Sequence, residues 1–272
     1  KAIMGQTGSK WSRINSMRGL LKETAPIQRQ LLVDQREAVL DYQPDEIFFH
    51  TKCMYPVIYG LKGGKVTLVS PIPCMIVPTD HEPHIGFGKP GPKWWNRLTY
   101  KIANMVMVNT FRKYSDEIQK LENISLSKKQ IRNFYVEQVD VEYTISPNLF
   151  ERPENWRANA KVVGFRERNK EGDYDPPKEL IDFLAIHPKP LYIGFGSMVN
   201  GNPANVGRDI VAVCQELNLP VIINKSWGGI ELDEDLADSV YVTTNIPYDY
   251  LFKHVKAIVH HGGSGTTHSG YR

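Results

Sequence analysis

Near the C-terminal end, the run Ala257-Ile258-Val259-His260-His261-Gly262-Gly263-Ser264-Gly265-Thr266-Thr267 constrains the fold more than any other stretch. A short apolar run rich in β-branched residues reads as a buried parallel strand. It stops at two histidines and passes into three glycines and three hydroxyl residues, after which a helix is expected. Strand, glycine-rich turn and helix start form a unit suited to an anion. Glycine lets backbone N–H groups approach a ligand without interference from Cβ, and the helix N-terminus adds partial positive charge, so a phosphate fits. The spacing is not GxxxxGK[ST], no lysine follows, and GxGxxG also fails, which excludes a Walker loop and a dinucleotide fingerprint. A tight strand-to-helix turn with no ligand would carry the same glycines. His261 and further turns of the same kind upstream favour the phosphate.

Those turns emerge when the chain is taken in order. Residues 1–43 read mainly as helix, with Leu20, Leu21, Ile27, Leu31, Leu32, Val39 and Leu40 near helical spacing and Pro26 expected at a helix start. Glu46 to His50 is a short strand ending in a histidine, Met54 to Leu61 a short helix, Gly63-Gly64 a turn, and Lys65 to Ser70 the next strand. Strand, helix, strand is the grammar of a parallel α/β sheet, whose ligands gather at the C-terminal strand ends, where His50 would sit. Residues 71–92 form a long loop with prolines at 71, 73, 78, 83, 90 and 92. Its His81 and His84 lack the i, i+4 helical spacing of a metal pair, and Pro83 breaks a helix between them, so no metal is expected. A long helix begins at Trp94-Trp95 and runs to about Lys120; the tryptophans suit core or interface packing, or the lining of a cleft. Val139 to Ile145 is a strand, and residues 151–189, rich in proline and charge and holding a short strand near 162–165, read as an inter-domain linker.

A second domain is expected from 190. Leu191 to Phe195 is a strand followed by the turn Gly196-Ser197, and a helix runs from about Ala204 to Leu217. Strands follow at 220–224 and 240–243, then a short helix opened by Asn245-Ile246-Pro247, then the His261 strand. The turns Gly196-Ser197, Lys225-Ser226-Trp227-Gly228 and His261 to Thr266 would lie along one edge of one sheet, which favours a nucleotide site.

Taken together, YIGFGSM, NKSWGG, NIPYDYLF and VHHGGSGTT resemble the sterol 3-beta-glucosyltransferase branch of the UDP-glycosyltransferases. The likeness is strong from about Val162 to Thr267. It is weaker from 44 to 150, where the 78–84 loop and the Asn96-Arg97-Leu98-Thr99-Tyr100 helix are similar to an acceptor domain. The resemblance implies an α/β, GT-B architecture of two Rossmann-like domains facing a cleft: 1–150 a partial acceptor-side domain, 190–272 a partial UDP-sugar domain. It implies inverting transfer of a sugar, glucose by family habit, from a UDP-sugar to a lipophilic alcohol such as a sterol, with no cofactor and no required metal. A non-catalytic nucleotide-sugar binder, and transfer to a glycolipid or polyketide, are the alternatives. By position, the resemblance puts Ser197, His261, Gly263 and the amides of Ser264, Gly265 and Thr266 at the diphosphate. Asn245 and Ile246 fall at the uracil, with Trp227 near that wall. His81, His84 and Trp94 fall on the acceptor side, and His50 falls where plant members carry the aspartate of a catalytic dyad. The family's first strand, with its glycine loop and in many members the catalytic base, is expected before Lys1. The Asp-Gln pair that reads the sugar is expected after Arg272.

Composition sets the remaining bounds. The chain has 272 residues, 41% hydrophobic and 23% charged, with a formal charge of +3, which is ordinary globular composition and too weakly basic to argue for nucleic acid. No apolar run reaches the ~18 residues of a membrane span, the start lacks signal-peptide character, and three scattered cysteines suit a reducing compartment. A cytoplasmic protein with peripheral membrane contact is the expectation. An α/β hydrolase would need a GxSxG elbow, which neither Ser197 nor Ser264 provides. Asp233-x-Asp235 resembles a metal-binding DxD but sits in an acidic, solvated stretch.

Overall fold

The strand and helix alternation becomes two separate four-stranded parallel sheets in a computed structural model of the protein, which describes residues 10–166, 171–225 and 227–272. One unit holds Ile14–Arg166 and the other the remaining described residues.

The first unit is built on β1 (Ile47–Phe49), β2 (Val66–Ser70), β3 (Asp140–Tyr143) and β4 (Ala160–Val162), in that order across the sheet. Its helices are α1 (Lys10–Tyr42), α2 (Tyr55–Leu61), α3 (Lys93–Leu121) and α4 (Lys128–Asn133), the last running into a π-helical turn at Phe134–Gln138. β2 is buried along nearly its whole length, which is why Val-Thr-Leu-Val-Ser carries no charge and its only polar groups are the small hydroxyls of Thr67 and Ser70. Ser127 starts α4 with a capping box: its hydroxyl accepts from the Gln130 N–H while Gln130 accepts from the Ser127 N–H. Gln35 of α1 does similar work for α2, accepting from the amides of Met54 at 2.9 Å and Tyr55 at 3.1 Å.

Pro26 does not start a helix: it lies inside one continuous α1. The expected apolar stripe is also thinner than read. Leu32 is buried, while Ile27, Leu31 and Leu40 are exposed, and the side chains of Leu20 and Leu21 lie outside the described residues. At its far end α3 delivers Glu122 into a pocket of donors, where the carboxylate side chain is 3% exposed. Arg36 and Lys62 pair with it, and the Tyr55 hydroxyl donates to it at 2.7 Å.

Residues 71–92 have little secondary structure, yet the start of α3 ties them down. The fully buried Asn96 donates to the carbonyls of Asp80 and Gly91 and accepts from the Gly91 N–H, each at 2.9 Å. Arg97 and Lys93 pair with Asp80, and the Thr99 hydroxyl accepts from the His84 N–H at 2.8 Å. The Tyr100 ring packs edge-on against His84. The Asn-Arg-Leu-Thr-Tyr stretch is thus a clasp for the loop.

The second unit contains α5 (Lys178–Ile186), β5 (Leu191–Gly194), α6 (Pro203–Glu216), β6 (Val221–Asn224), β7 (Val240–Thr243), α7 (Tyr248–Leu251), β8 (Ala257–His260) and α8 (Ser264–Gly270). The sheet order is β7-β6-β5-β8, all parallel. Alternation along the strands gives each face its own core. Tyr192 and Ile222 pack with Leu180, Phe183, Ile246 and Leu251 on one side, and Ile193, Val221 and Ile223 pack with Cys214 and Ile230 on the other.

Two expectations change. The connector 151–189 is shorter than read, because β4 completes the first sheet and α5 sends Leu180 and Phe183 into the second core. And β8 is not a buried strand: among the described residues it has β5 as its only neighbour in the sheet, and Val259 is 46% exposed.

Candidate functional site

Parallel pairing brings the C-terminal ends of the second sheet into line. Gly194 stands opposite both Asn224 and His260, and Asn224 opposite Thr243, so all four strands end at one level. Each then turns. Phe195–Met198 closes with the Met198 N–H donating to the Phe195 carbonyl at 3.1 Å, and the Lys225 N–H donates to the Thr243 carbonyl at 3.0 Å. Gly196, Gly228 and Gly262 take φ values of +57°, +97° and +80°, one left-handed glycine in each of the three glycine-bearing turns. Ser226 of the second turn lies outside the described residues.

The turns also touch. A Cβ added at Gly229 would stand 2.7 Å from the Met198 carbonyl oxygen, so the β6 turn lies directly against the β5 turn. The His261 imidazole lodges between two glycines. A Cβ at Gly196 would meet its Cε1 at 2.8 Å, and one at Gly263 its Nε2 at 2.5 Å. Gly196 is therefore required twice, by its φ and by the ring that occupies its side-chain space. His260, next in the strand, faces the other way: its Nδ1 accepts from the Gly262 N–H at 3.1 Å, and it lines a small hollow with Ile258, Thr267 and Tyr271. The structure thus assigns the two histidines different neighbours, as alternation along a strand requires.

Beyond His261, Gly263 caps α8, with Ser264, Gly265 and Thr266 forming its first turn. The amides of a helix's first turn have no acceptor within the helix. Ser197 and Gly265 are exposed, and Thr266 is buried. Trp227 is 77% exposed and available to stack on a flat ligand. Asn245 is exposed, its N–H bonded to the Thr243 hydroxyl, but the Ile246 side chain is only 6% exposed and belongs to the core. Ile246 can offer a ligand its backbone and not its side chain.

Two residues at this edge escaped the sequence reading. His268 is buried and bonds through Nδ1 to the Ser264 carbonyl at 2.6 Å, bracing the first turn of α8. Asn224 closes β6 with a buried Oδ1 that has no hydrogen-bond partner among the described residues. The available signal was a single amide ending an otherwise apolar strand, Val-Ile-Ile-Asn.

In the first unit His50 follows β1 at the strand-end level, half-buried, and its Nδ1 lies 3.4 Å from the Lys52 N–H. Partial burial, with the Lys52 charge adding to it, lowers its pKa, so the ring is neutral at pH 7. His84 is likewise lowered by burial, against a backbone bond at Met75, and its Nδ1 accepts from the Gly86 N–H. His81 is exposed, and Trp94 stands at the start of α3 beside Trp95. His84 and Trp94 share one aromatic neighbourhood, through Phe87 and Trp95. Among the described residues no group of three or more His, Cys, Asp or Glu converges, and no helix is long and apolar enough to cross a membrane. Asp233 and Asp235 lie exposed in a loop.

Two parallel α/β sheets with their helices match the GT-B glycosyltransferase fold. The glycosyltransferase of kitacinnamycin superposes with a TM-score of 0.57 at 14% identity, over 97% of this chain and 63% of that one. The glycosyltransferase VinC in complex with DTDP gives 0.55 at 14% identity, over 96% and 60%. In sequence the chain is similar to sterol 3-beta-glucosyltransferases. It is 36% identical to UGT80A2 of Arabidopsis thaliana over 183 residues, 65% of this chain and 28% of that protein. It therefore spans little more than a quarter of that relative's length. No protein-family profile matches the chain.

Proposed function

We propose that the chain is part of an inverting glycosyltransferase that moves a sugar, glucose by its sequence relatives, from a UDP-sugar to the hydroxyl of a lipophilic alcohol such as a sterol. The observation that carries this reading is the register of β5 against β8. It sets Ser197 and the Gly196 turn beside His261 and the first turn of α8. Such an edge, with N–H groups, a hydroxyl and an imidazole converging, suits a diphosphate.

In this reading the amides of Ser264, Gly265 and Thr266, with Ser197 and His261, take up the negative charge that grows on the departing diphosphate. Donors held rigidly at strand ends act without reorganising at the moment of reaction. Trp227 and Asn245, with the Ile246 backbone, bound the base. UDP-sugar is a co-substrate, and the proposed chemistry uses no metal. In this reading His50, at the end of β1, takes the place of the dyad aspartate and orients the base that removes the acceptor's proton, a role its neutral ring suits.

Isothermal titration of the chain with UDP and with UDP-glucose tests the donor half. Saturable binding of both, with UDP displacing UDP-glucose, is the expected result. Absence of binding, or a nucleotide mapped by chemical shift to residues away from the strand ends, would overturn it.

A further inference from the structure

A concave surface of another kind lies in the first unit. Between α3 and α4 runs a groove of about 1100 Å3. Its floor is apolar, with Tyr100, Val108 and Trp156 all buried there. Its walls are basic. Lys101 from α3 and Lys128, Lys129 and Arg132 from α4 line it and are exposed, and none of these four makes an ion pair among the described residues. Arg97 also lines the groove but is taken up by Asp80, and among the described residues Glu137 is the sole acid on the walls.

Beside the groove, α3 presents large apolar side chains to solvent. Trp94, Leu98, Lys101 and Met105 follow one another at i, i+4, i+7 and i+11, a single helical face. Trp94 is 67% exposed and Met105 58%. A helix that offers tryptophan, leucine and methionine to solvent with lysine among them is composed like an element that lies in a membrane interface. The buried floor makes the neighbouring groove suited to an acyl chain, and the cations on its walls make it suited to the anionic head of the same molecule.

We infer that the α3–α4 face of the first unit docks on anionic bilayers, with Lys101, Lys128, Lys129 and Arg132 on the lipid phosphates and Trp94 and Met105 in the interface. The charge balance of the walls commits the site to an acidic phospholipid rather than to a neutral lipid. The site is independent of the strand-end turns, so nucleotide binding and membrane docking succeed or fail separately.

Co-sedimentation of the chain, without nucleotide, tests this on three vesicle types: phosphatidylcholine, phosphatidylcholine with phosphatidylglycerol, and phosphatidylcholine with a sterol. Binding is expected to the phosphatidylglycerol vesicles alone and to weaken with salt. Each basic residue near an anionic surface is worth roughly five-fold in affinity. Lys128→Gln, Lys129→Gln and Arg132→Gln together should therefore weaken binding about a hundred-fold. These residues are exposed, so the variant should melt like the parent. The charge-matched triple Lys161→Gln, Lys178→Gln and Lys256→Gln should bind as the parent does, and Trp94→Ser with Met105→Ser should lower affinity while leaving the salt dependence unchanged. No binding to phosphatidylglycerol vesicles would overturn the inference, as would equal loss in both triples. Binding to the sterol vesicles without acidic lipid would also overturn it, pointing to an acceptor in the groove instead.

Discussion

UDP should bind the chain about ten- to a hundred-fold more weakly once His261 is replaced by alanine, with a melting temperature close to the parent's. A hydrogen bond to a charged group contributes ~1.5–3 kcal/mol, which is that range in affinity. His261 is exposed, so its loss removes little packing. His260→Ala should do the reverse. It removes the acceptor for the Gly262 N–H and should cost about 1 kcal/mol of stability while leaving UDP affinity nearly intact. Gly196→Ala offers a third reading of the same contact, because its new Cβ would enter the space of the His261 ring. It should weaken UDP binding in the parent and have a smaller effect in the His261→Ala background. Titration and thermal melts of the three variants and the double decide the matter. Swapped effects for the two histidines would reverse the assignment of faces, and unchanged affinity in all variants would remove the diphosphate from this edge.

Glu122→Ala should destabilise the first unit by about 3 kcal/mol, since breaking one side of a buried ion pair leaves uncompensated charge behind. Its partners Arg36 and Lys62 are partly exposed, which keeps the figure at the lower end of that class. The same cluster fixes a pH dependence. Burial alone would raise the Glu122 carboxyl, but hydrogen bonds from Lys62, Tyr55 and Arg36 outweigh it and hold the pKa below the usual 4.5. A depressed acid contributes stability that is fully present above the unfolded value and is lost as pH falls through the folded one. Urea melts from pH 6 downward should therefore show stability falling below about pH 4.5 in the parent and falling less steeply in Glu122→Gln. Parallel pH profiles would show that the cluster does not titrate on unfolding.

Much of this was legible in the sequence because the strands are short, apolar and closed by glycine. Val240 to Thr243 stands in the structure as read, and α6 and α3 fall within a residue or two of their expected limits. The conflict between Ile246 as a uracil contact and Ile246 as core could not be seen, since a residue's place in a motif does not say which atom faces out. Pro26 misled because proline's tolerance at a helix start is a local rule, and the long α1 overrides it. The expectation of a buried β8 failed for a related reason. Apolar composition reports a strand's intended surroundings, whereas sheet order decides which neighbours it has. The α3–α4 groove was invisible because its cations come from segments about thirty residues apart, none of them a charge run.

The clasp on residues 71–92 has a consequence for cleavage. Six prolines strip that loop of amide donors, so its order is imposed by Asn96, Arg97 and Thr99 rather than made from within. A protease needs several residues drawn out into its cleft, and here they come free only when the first turns of α3 lift away. Nicking within 71–92 under native conditions would therefore keep time with the unlatching of a helix, and a single peptide band on a gel would serve as its clock.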